Sequence, residues 1–174
     1  MKKENGKKIL IFLGQLAVMA LLIGIDQLTK YAAEQNLIGE RIVLIKNFLA
    51  LTYVQNTGAA FGSFSGNTFV LAGVTGAVII AGIVVLALGK IKGKLPCMCA
   101  VMILAGGVGN LIDRIANNYV IDFIETLFID FPVFNFADIL VTCGVFIAVI
   151  YMIYDSVKEY KEKKNAEQSV GENG

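Results

Sequence analysis

Ionisable and amide side chains stand at the ends of the apolar stretches of this sequence. They are Asp26 and Lys30 after the first stretch, Asn110, Asp113 and Arg114 at the end of the third, Asn135 and Asp138 at the start of the fourth, and Asp122 between the last two groups. A charged group beside a long apolar segment is costly unless it has a partner or reaches water, and such groups usually mark functional sites. The spacing therefore predicts a polar site at one end of the apolar segments.

A pair of carboxylates can hydrolyse a bond without help from histidine. One takes a proton from water while the other donates a proton to the carbonyl oxygen, and the two titrate as a coupled pair. The sequence has no histidine, which excludes Ser/His/Asp and Cys/His nucleophilic sites and the HExxH zinc site. Spacing alone leaves open which two of Asp26, Asp113, Asp122 and Asp138 would form the pair.

Structural roles also fit several of these residues. Asp26 and Lys30 are four positions apart, so on a helix they share a face and can form a stabilising ion pair. Arg114 could extend to lipid headgroups rather than hold a peptide carbonyl. The FNFAD segment that ends at Asp138 fits a helix N-terminal cap. Capping accounts for Asp138 but gives no role to Asp122.

Four long apolar segments must position these side chains. With 56% hydrophobic residues, 17% charged residues and a mean hydropathy of +0.70, the chain is too apolar for an ordinary soluble domain. A membrane-spanning helix needs about 20 mostly apolar residues, and such segments lie at about 9–28, 69–89, 95–114 and 136–156. We therefore expect a membrane all-α bundle of four transmembrane helices. The net charge of +1 argues against a nucleic-acid partner.

Lysines cluster in three segments that four spans would place on one side of the membrane. These segments are 2–8, 90–94 and 158–164. An excess of lysine marks the cytoplasmic side, so both termini are predicted to be cytoplasmic and segments 31–68 and 115–135 to face outward. The first span has the basic start of a signal peptide, but its apolar run is long and no clear A-x-A site follows it, so we predict an uncleaved span.

Outside the spans, two segments differ in composition. RIVLIKNFLALTYV (41–54) is rich in β-branched and aromatic residues and is interrupted by Lys46 and Asn47, which predicts a strand pair. This pair would lie outside the membrane and rest on the lipid surface. Residues 159–174 are polar and poor in apolar side chains, so we expect a disordered cytoplasmic tail after a single membrane domain spanning 1–158.

Five short motifs occur in an order that resembles one known family. They are DQLTK (26–30), QNTGAAFG (55–62), AGGVGNLIDR (105–114), VIDF (120–123) and FNFAD (134–138). Each motif alone is weak, but the set is specific and covers the chain from Asp26 to about Gly144. The chain resembles the bacterial lipoprotein signal peptidases, also called signal peptidase II.

The resemblance implies an aspartic endopeptidase of the bacterial cytoplasmic (inner) membrane, with a small extracytoplasmic β-structured cradle beside its four transmembrane helices. Such an enzyme removes the signal peptide from a diacylglyceryl-modified prolipoprotein by cutting just before the lipidated lipobox cysteine. The motifs that carry the resemblance imply that Asp122 and Asp138 are the catalytic pair. The positions implied to bind substrate are Asn56, Asn110, Arg114 and Asn135, and those implied to support the fold and site are Asp26, Lys30, Gly58, Asp113 and Ala137.

The same resemblance indicates the partners. Diacylglyceryl prolipoproteins would be the substrates, membrane lipid would surround the protein, and the cyclic peptide globomycin would occupy the site as an inhibitor. The scissile bond of a lipidated substrate lies near the outer membrane surface, and confinement in the membrane plane supplies much of the positioning. We therefore expect no metal or organic cofactor, and we expect a monomer.

Two other classes of protein share intramembrane charges. Transporters and channels use them along ion paths, but usually near the bilayer midplane and with broken helices and repeated halves. In this chain the polar residues gather at one end of the spans. A non-catalytic membrane subunit, in which the outer carboxylates are incidental, is the second alternative.

Overall fold

The described part of the chain contains four helices and three strands. A computed structural model describes residues 2–58 and 68–171, with side chains for 6–58 and 68–165. In chain order the elements are α1 (Lys2–Leu37), β1 (Arg41–Ile45), β2 (Leu49–Asn56), α2 (Thr68–Ala87), α3 (Lys94–Asn117), β3 (Val120–Thr126) and α4 (Phe136–Gly171). Part of the second motif, residues 59–62, lies outside the described residues.

All four helices are long and apolar enough to cross a membrane. The apolar side chains of α2 mostly point away from the bundle: Phe69 is 79% exposed, whereas Ile79 and Leu86 are buried. A helix that is apolar on every side suits a lipid solvent. The predicted four-span bundle is therefore confirmed.

α3 is the central helix, and α1, α2 and α4 all pack against it. Two glycines of its AGGVGN segment allow close approach. A β-carbon at Gly106 would collide with the carbonyl oxygen of Ala137 on α4, and one at Gly109 would collide with the Asp26 carboxylate on α1. Small residues let membrane helices pack closely. Here they bring two helices against the polar end of α3.

The sheet has the order β1-β2-β3, and both pairs are antiparallel. The β1–β2 hairpin confirms the predicted strand pair, and Asn47 at its turn has a positive φ of 59°, a conformation that asparagine tolerates. β3 joins this pair from the VIDF motif, which the sequence reasoning did not assign to a strand. Its Val120 lies opposite Asn56, so the last residue of β2 lies beside the start of the strand that carries Asp122.

α1 and α4 extend well beyond their predicted spans. α1 continues to Leu37 because Ala33 and Leu37 bury their side chains against Ile121 and Phe123 of β3. α4 continues to Gly171, so the structure differs from the predicted disordered tail over 159–171. Lysine and glutamate are good helix formers, and the exposed Lys158–Glu162 pair, 3.9 Å apart at i,i+4, is a weak addition to that preference.

Candidate active site

A buried lysine lies at the centre of the polar end of the bundle. Lys30 Nζ is 2.9 Å from Asp26 Oδ2 and 2.9 Å from Asp113 Oδ2, and it donates over 2.9 Å to Asn110 Oδ1. Lys30 is 1% exposed and Asp26 is fully buried. The ion pair expected from the i,i+4 spacing is present, and Asp113 on α3 completes it. A buried cation needs such partners to offset its loss of water.

The same two carboxylates fasten neighbouring elements. Asp26 Oδ1 accepts a hydrogen bond over 2.9 Å from the backbone N–H of Ala137 at the start of α4. Asp113 Oδ2 accepts one over 3.1 Å from the N–H of Ile121 in β3. Around Lys30, therefore, side chains of α1 and α3 fix the positions of β3 and α4.

Gln27 was not singled out from the sequence, yet it belongs to this network. Its Nε2 lies 3.2 Å from Asp26 Oδ2, 3.0 Å from Asp113 Oδ1 and 3.2 Å from the carbonyl oxygen of Gly109. The amide thus joins α1 to α3. The DQLTK motif contained the residue, but only the crossing of the two helices gives its amide these partners.

Asp122 lies in the middle of β3 and is 1% exposed. Asn135 Nδ2 donates to its Oδ1 over 2.6 Å, and Asn56 Nδ2 donates to its Oδ2 over 2.9 Å. Burial in this setting raises the pKa of Asp122 to about 6, and the negative charge of Asp138 acts in the same direction, against the lowering effect of the asparagine hydrogen bonds and of Lys30. This carboxyl is therefore able to hold a proton near neutral pH.

Asp138 lies in the first turn of α4. Its Oδ2 accepts from the backbone N–H of Asn135 over 3.1 Å, and the Asp138 N–H donates to Asn135 Oδ1 over 3.0 Å. This reciprocal pair is a capping box, so the capping interpretation is correct. The other oxygen, Oδ1, accepts from Asn110 Nδ2 over 2.8 Å.

A short bridge brings the two aspartates to one place. Phe134 exchanges backbone hydrogen bonds with Ile124 of β3, with N···O distances of 2.8 and 3.0 Å. Asn135, the next residue, begins α4 and donates to Asp122. Asp122 of β3 and Asp138 of α4 thus both contact Asn135, which holds them near each other.

Both aspartates face a cavity of about 670 Å³ between α2, α3 and α4. Its polar end also includes Asn56, Asn110 and Arg114, whereas its walls are apolar and include Val78 of α2 and Leu104 of α3. An apolar cavity with a few convergent polar groups is the usual form of a ligand site.

Arg114 and Gly58 complete the polar end. Arg114 Nη1 donates to the Asn110 carbonyl over a long 3.4 Å, and within the described residues its buried Nε has no hydrogen-bond partner. The Gly58 N–H donates to Asn56 Oδ1 over 3.0 Å and thereby orients the amide that contacts Asp122. Every side chain expected around the substrate is therefore gathered at this cavity except that of Asn135, which is fully buried behind the two aspartates.

The protein has four helices that can span a membrane and, between three of them, a cavity lined by two carboxylates. It is a multi-pass membrane protein with side chains that a hydrolase could use. The family described as signal peptidase (SPase) II matches residues 18–154. The chain belongs to this signal peptidase II family and is a membrane protease of that class.

Curated relatives cover nearly the same length. The lipoprotein signal peptidases of Clostridium tetani, Enterococcus faecalis and Clostridium acetobutylicum are 37%, 39% and 40% identical to the chain. The alignments cover 86%, 85% and 84% of this chain and 97%, 92% and 99% of the relatives.

Two solved structures, each described as a bacterial membrane enzyme, are also similar. They superpose with TM-scores of 0.76 and 0.73 at 30% and 31% identity, covering 82% of this chain and 89% and 94% of theirs. The fold with four membrane helices and a small sheet is therefore shared.

Proposed function

We propose that this enzyme removes the signal peptide from diacylglyceryl-modified prolipoproteins by cutting just before the lipidated lipobox cysteine. The name of the curated relatives supports this substrate class. The observation that carries the proposal is the convergence of Asp122 and Asp138 on one cavity, where both oxygens of each carboxylate accept hydrogen bonds. Two carboxylates that line one cavity are the arrangement that an aspartic dyad requires.

The dyad would hydrolyse the peptide bond by acid–base catalysis. One carboxylate takes a proton from a water molecule that attacks the scissile carbonyl carbon, and the other donates a proton to the carbonyl oxygen. When the tetrahedral intermediate collapses, the leaving nitrogen receives a proton and the C–N bond breaks. This chemistry uses two carboxyl groups and water, so we propose that it proceeds without metal or organic cofactor.

The cavity has a shape suited to a substrate that arrives through the membrane. α2 and α4 both pack on α3 and make few contacts with each other, which leaves a cleft walled by apolar side chains such as Val78 and Leu104. An apolar signal helix would lie along these walls and present its scissile bond to the polar end. There, Arg114 and the neighbouring asparagines would hold peptide carbonyls.

The lysine distribution supports the proposed orientation. Lysines lie at the ends of the helices remote from the aspartates, at 90–94 and 158–164, which favours cytoplasmic termini and a site at the outer face of the cytoplasmic membrane. In this orientation the sheet lies at the outer lipid surface. We propose a monomer built of one domain, 1–158, and inhibition by globomycin, a cyclic peptide that would occupy the same cleft.

The test is cleavage of a diacylglyceryl prolipoprotein by the purified enzyme in detergent, with a chelator present. Asp122→Asn and Asp138→Asn should each abolish cleavage while leaving thermal unfolding close to that of the wild type. Asp130→Asn, at an exposed acid of the same outer segment, is the matched control and should cleave normally. Normal cleavage by either of the first two variants would rule out the dyad.

A further inference from the structure

Three asparagines around the aspartates have amides whose orientation is fixed by the donor that each oxygen receives. Asn56 Oδ1 accepts from the Gly58 N–H, and Asn135 Oδ1 from the Asp138 N–H, each over 3.0 Å. Asn110 Oδ1 accepts from the Lys30 ammonium over 2.9 Å. Neither a backbone N–H nor an ammonium can accept a hydrogen bond. Each amide must therefore turn its NH₂ group toward a carboxylate.

The two carboxylates receive different kinds of donor. Among the described residues, Asp122 accepts from two neutral side-chain amides, those of Asn56 and Asn135, and from no other donor. Asp138 accepts from the backbone at the N-terminus of α4 and from Asn110, whose amide is polarised by the Lys30 charge. A helix N-terminus and a cation-polarised donor both favour negative charge.

Exposure and charge reinforce this difference. Asp122 is 1% exposed, whereas Asp138 is only partly buried. Both carboxylates line the cavity with Arg114, but of the two only Asp138 also accepts a hydrogen bond at a helix N-terminus, where negative charge is favoured. An ionised carboxylate is therefore better supported at position 138 than at position 122.

We propose that Lys30, acting through Asn110, keeps Asp138 ionised and leaves the shared proton of the pair on Asp122. Lys30 is thus a positioning residue rather than a catalytic one. The inference rests on the proposed function for its catalytic meaning, but the location of the proton can be measured without substrate.

The charged groups around the pair come from α1, α3, β3 and α4, whereas β2 and α2 contribute uncharged side chains. They are Asp26 and Lys30 on α1, Asp113 and Arg114 on α3, Asp122 on β3 and Asp138 on α4. Two acids, Asp26 and Asp113, partly offset the charge of Lys30, and the remaining field lowers the pKa of Asp122. The connection of Lys30 to Asp138 runs through the hydrogen bonds of Asn110.

The assignment gives each aspartate one role in hydrolysis. Asp138 would take a proton from water as the water oxygen bonds to the scissile carbon, and Asp122 would give its proton to the carbonyl oxygen. On collapse, Asp138 passes the proton to the leaving nitrogen, the C–N bond breaks, and the intermediate returns a proton to Asp122. Water is consumed, and both aspartates recover their initial states.

Infrared difference spectroscopy of the substrate-free protein tests where the proton resides. At about pH 5, below the pKa of about 6 for Asp122, the wild type should show the C=O band of a protonated buried carboxyl group. Asp122→Asn should lose this band, whereas Asp138→Asn and the exposed control Asp130→Asn should keep it. Loss of the band in Asp138→Asn with retention in Asp122→Asn would overturn the proposal.

A second pair of variants tests the role of the Lys30–Asn110 link without removing the buried lysine. Asn110→Leu deletes the donor to Asp138, so an additional carboxyl signal should appear that the double variant Asn110→Leu/Asp138→Asn lacks. Gln27→Met removes an amide of the same network that does not touch Asp138, and it should add no such signal. An unchanged spectrum for Asn110→Leu would refute the link.

Activity is measured separately, so the two proposals can fail independently. If the spectra follow the expected pattern but Asp122→Asn still cleaves prolipoprotein, the proton is correctly placed and the dyad function is wrong. If both aspartates are essential for cleavage but the band belongs to Asp138, the function stands and the assignment of roles is wrong.

Discussion

The side-chain amide of Asn135 donates to Asp122 over 2.6 Å, and the oxygen of the same amide caps α4 by accepting from the Asp138 N–H over 3.0 Å. One residue therefore fixes both acids, and its two tasks can be separated by mutation. Serine is a good N-cap residue, but its short hydroxyl cannot reach Asp122 while it caps the helix.

Asn135→Ser should slow prolipoprotein cleavage by roughly 10–100-fold, the loss expected for one hydrogen bond to a charged group. The cap remains, but Asn135 Nδ2 also donates to Asn110 Oδ1 and to the Ile121 carbonyl, so the free energy of unfolding should fall by about 1–3 kcal/mol while the protein stays folded. Asn36→Ser, at an exposed position on α1, is the control and should keep full activity. A wild-type rate for Asn135→Ser would show that the contact with Asp122 is dispensable.

The pH dependence of cleavage should follow the proton on Asp122. Burial raises its pKa from 3.8 to about 6, so the carboxyl keeps its proton below that pH and loses it above. If Asp122 is the proton donor, kcat/KM, which reports the free enzyme, should fall as pH rises through about 6.

A variant can move this limb of the profile in a known direction. The hydrogen bond from Asn56 lowers the pKa of Asp122, so Asn56→Leu should raise that pKa further and shift the limb to higher pH. The matched change Asn36→Leu, at an exposed amide that donates to the Ala32 carbonyl of its own helix, should leave the limb in place. A limb that does not move in Asn56→Leu would separate the profile from Asp122.

Much of the fold follows from local sequence. Each span is a long apolar run, and the strand pair is marked by β-branched and aromatic residues around the turn at Asn47. The ion pair between Asp26 and Lys30 needs only helical spacing. These features depend on neighbours within a few residues, so composition and periodicity are enough to predict them.

The site itself depends on long-range pairing. Asp122 meets Asn56 because β3 pairs with β2 across 66 positions of chain, and it meets Asn135 because Phe134 bridges to β3. Spacing could not select this pair from four aspartates; the order of motifs indicated it. Gln27 was overlooked because an uncharged amide on a helix carries no signal until its partners on α3 are known.

The packing of α3 leads to a prediction about two glycines. A methyl group at Gly109 would collide with the Asp26 carboxylate, and one at Gly106 with the Ala137 carbonyl. Gly109→Ala and Gly106→Ala should therefore destabilise the protein by about 1–3 kcal/mol, the usual cost of overpacking. Thermal unfolding in detergent measures the effect.

Gly73 provides the control, because no atom of the described residues lies within 4 Å of a β-carbon placed there. Gly73→Ala should change stability little, or raise it slightly, since alanine favours the helix. Equal destabilisation at all three positions would mean that the close approach of α1 and α4 to α3 is not what requires glycine.

Orientation can be tested with truncated fusions to a reporter that is active only outside the cytoplasm. A fusion after Thr68, at the start of α2, should be active, and a fusion after Lys92, between α2 and α3, should be inactive. A comparable fusion after Tyr160 should also be inactive if the C-terminal end of α4 is cytoplasmic. The reverse pattern would place the aspartates on the inner side.

Arg114 carries donors that the described residues leave largely uncommitted. Its Nε is buried without a partner, its Nη1 makes one long contact, and the side chain lines the cavity beside Asp138. If the guanidinium binds a substrate carbonyl, Arg114→Lys keeps the charge but loses the planar fork, and kcat/KM should fall by roughly 10–100-fold with unfolding unchanged. Arg41→Lys, at the other arginine of the chain and bound to Glu125 on the sheet, should stay near wild type. Equal losses in the two variants would assign Arg114 a general structural role instead of substrate binding.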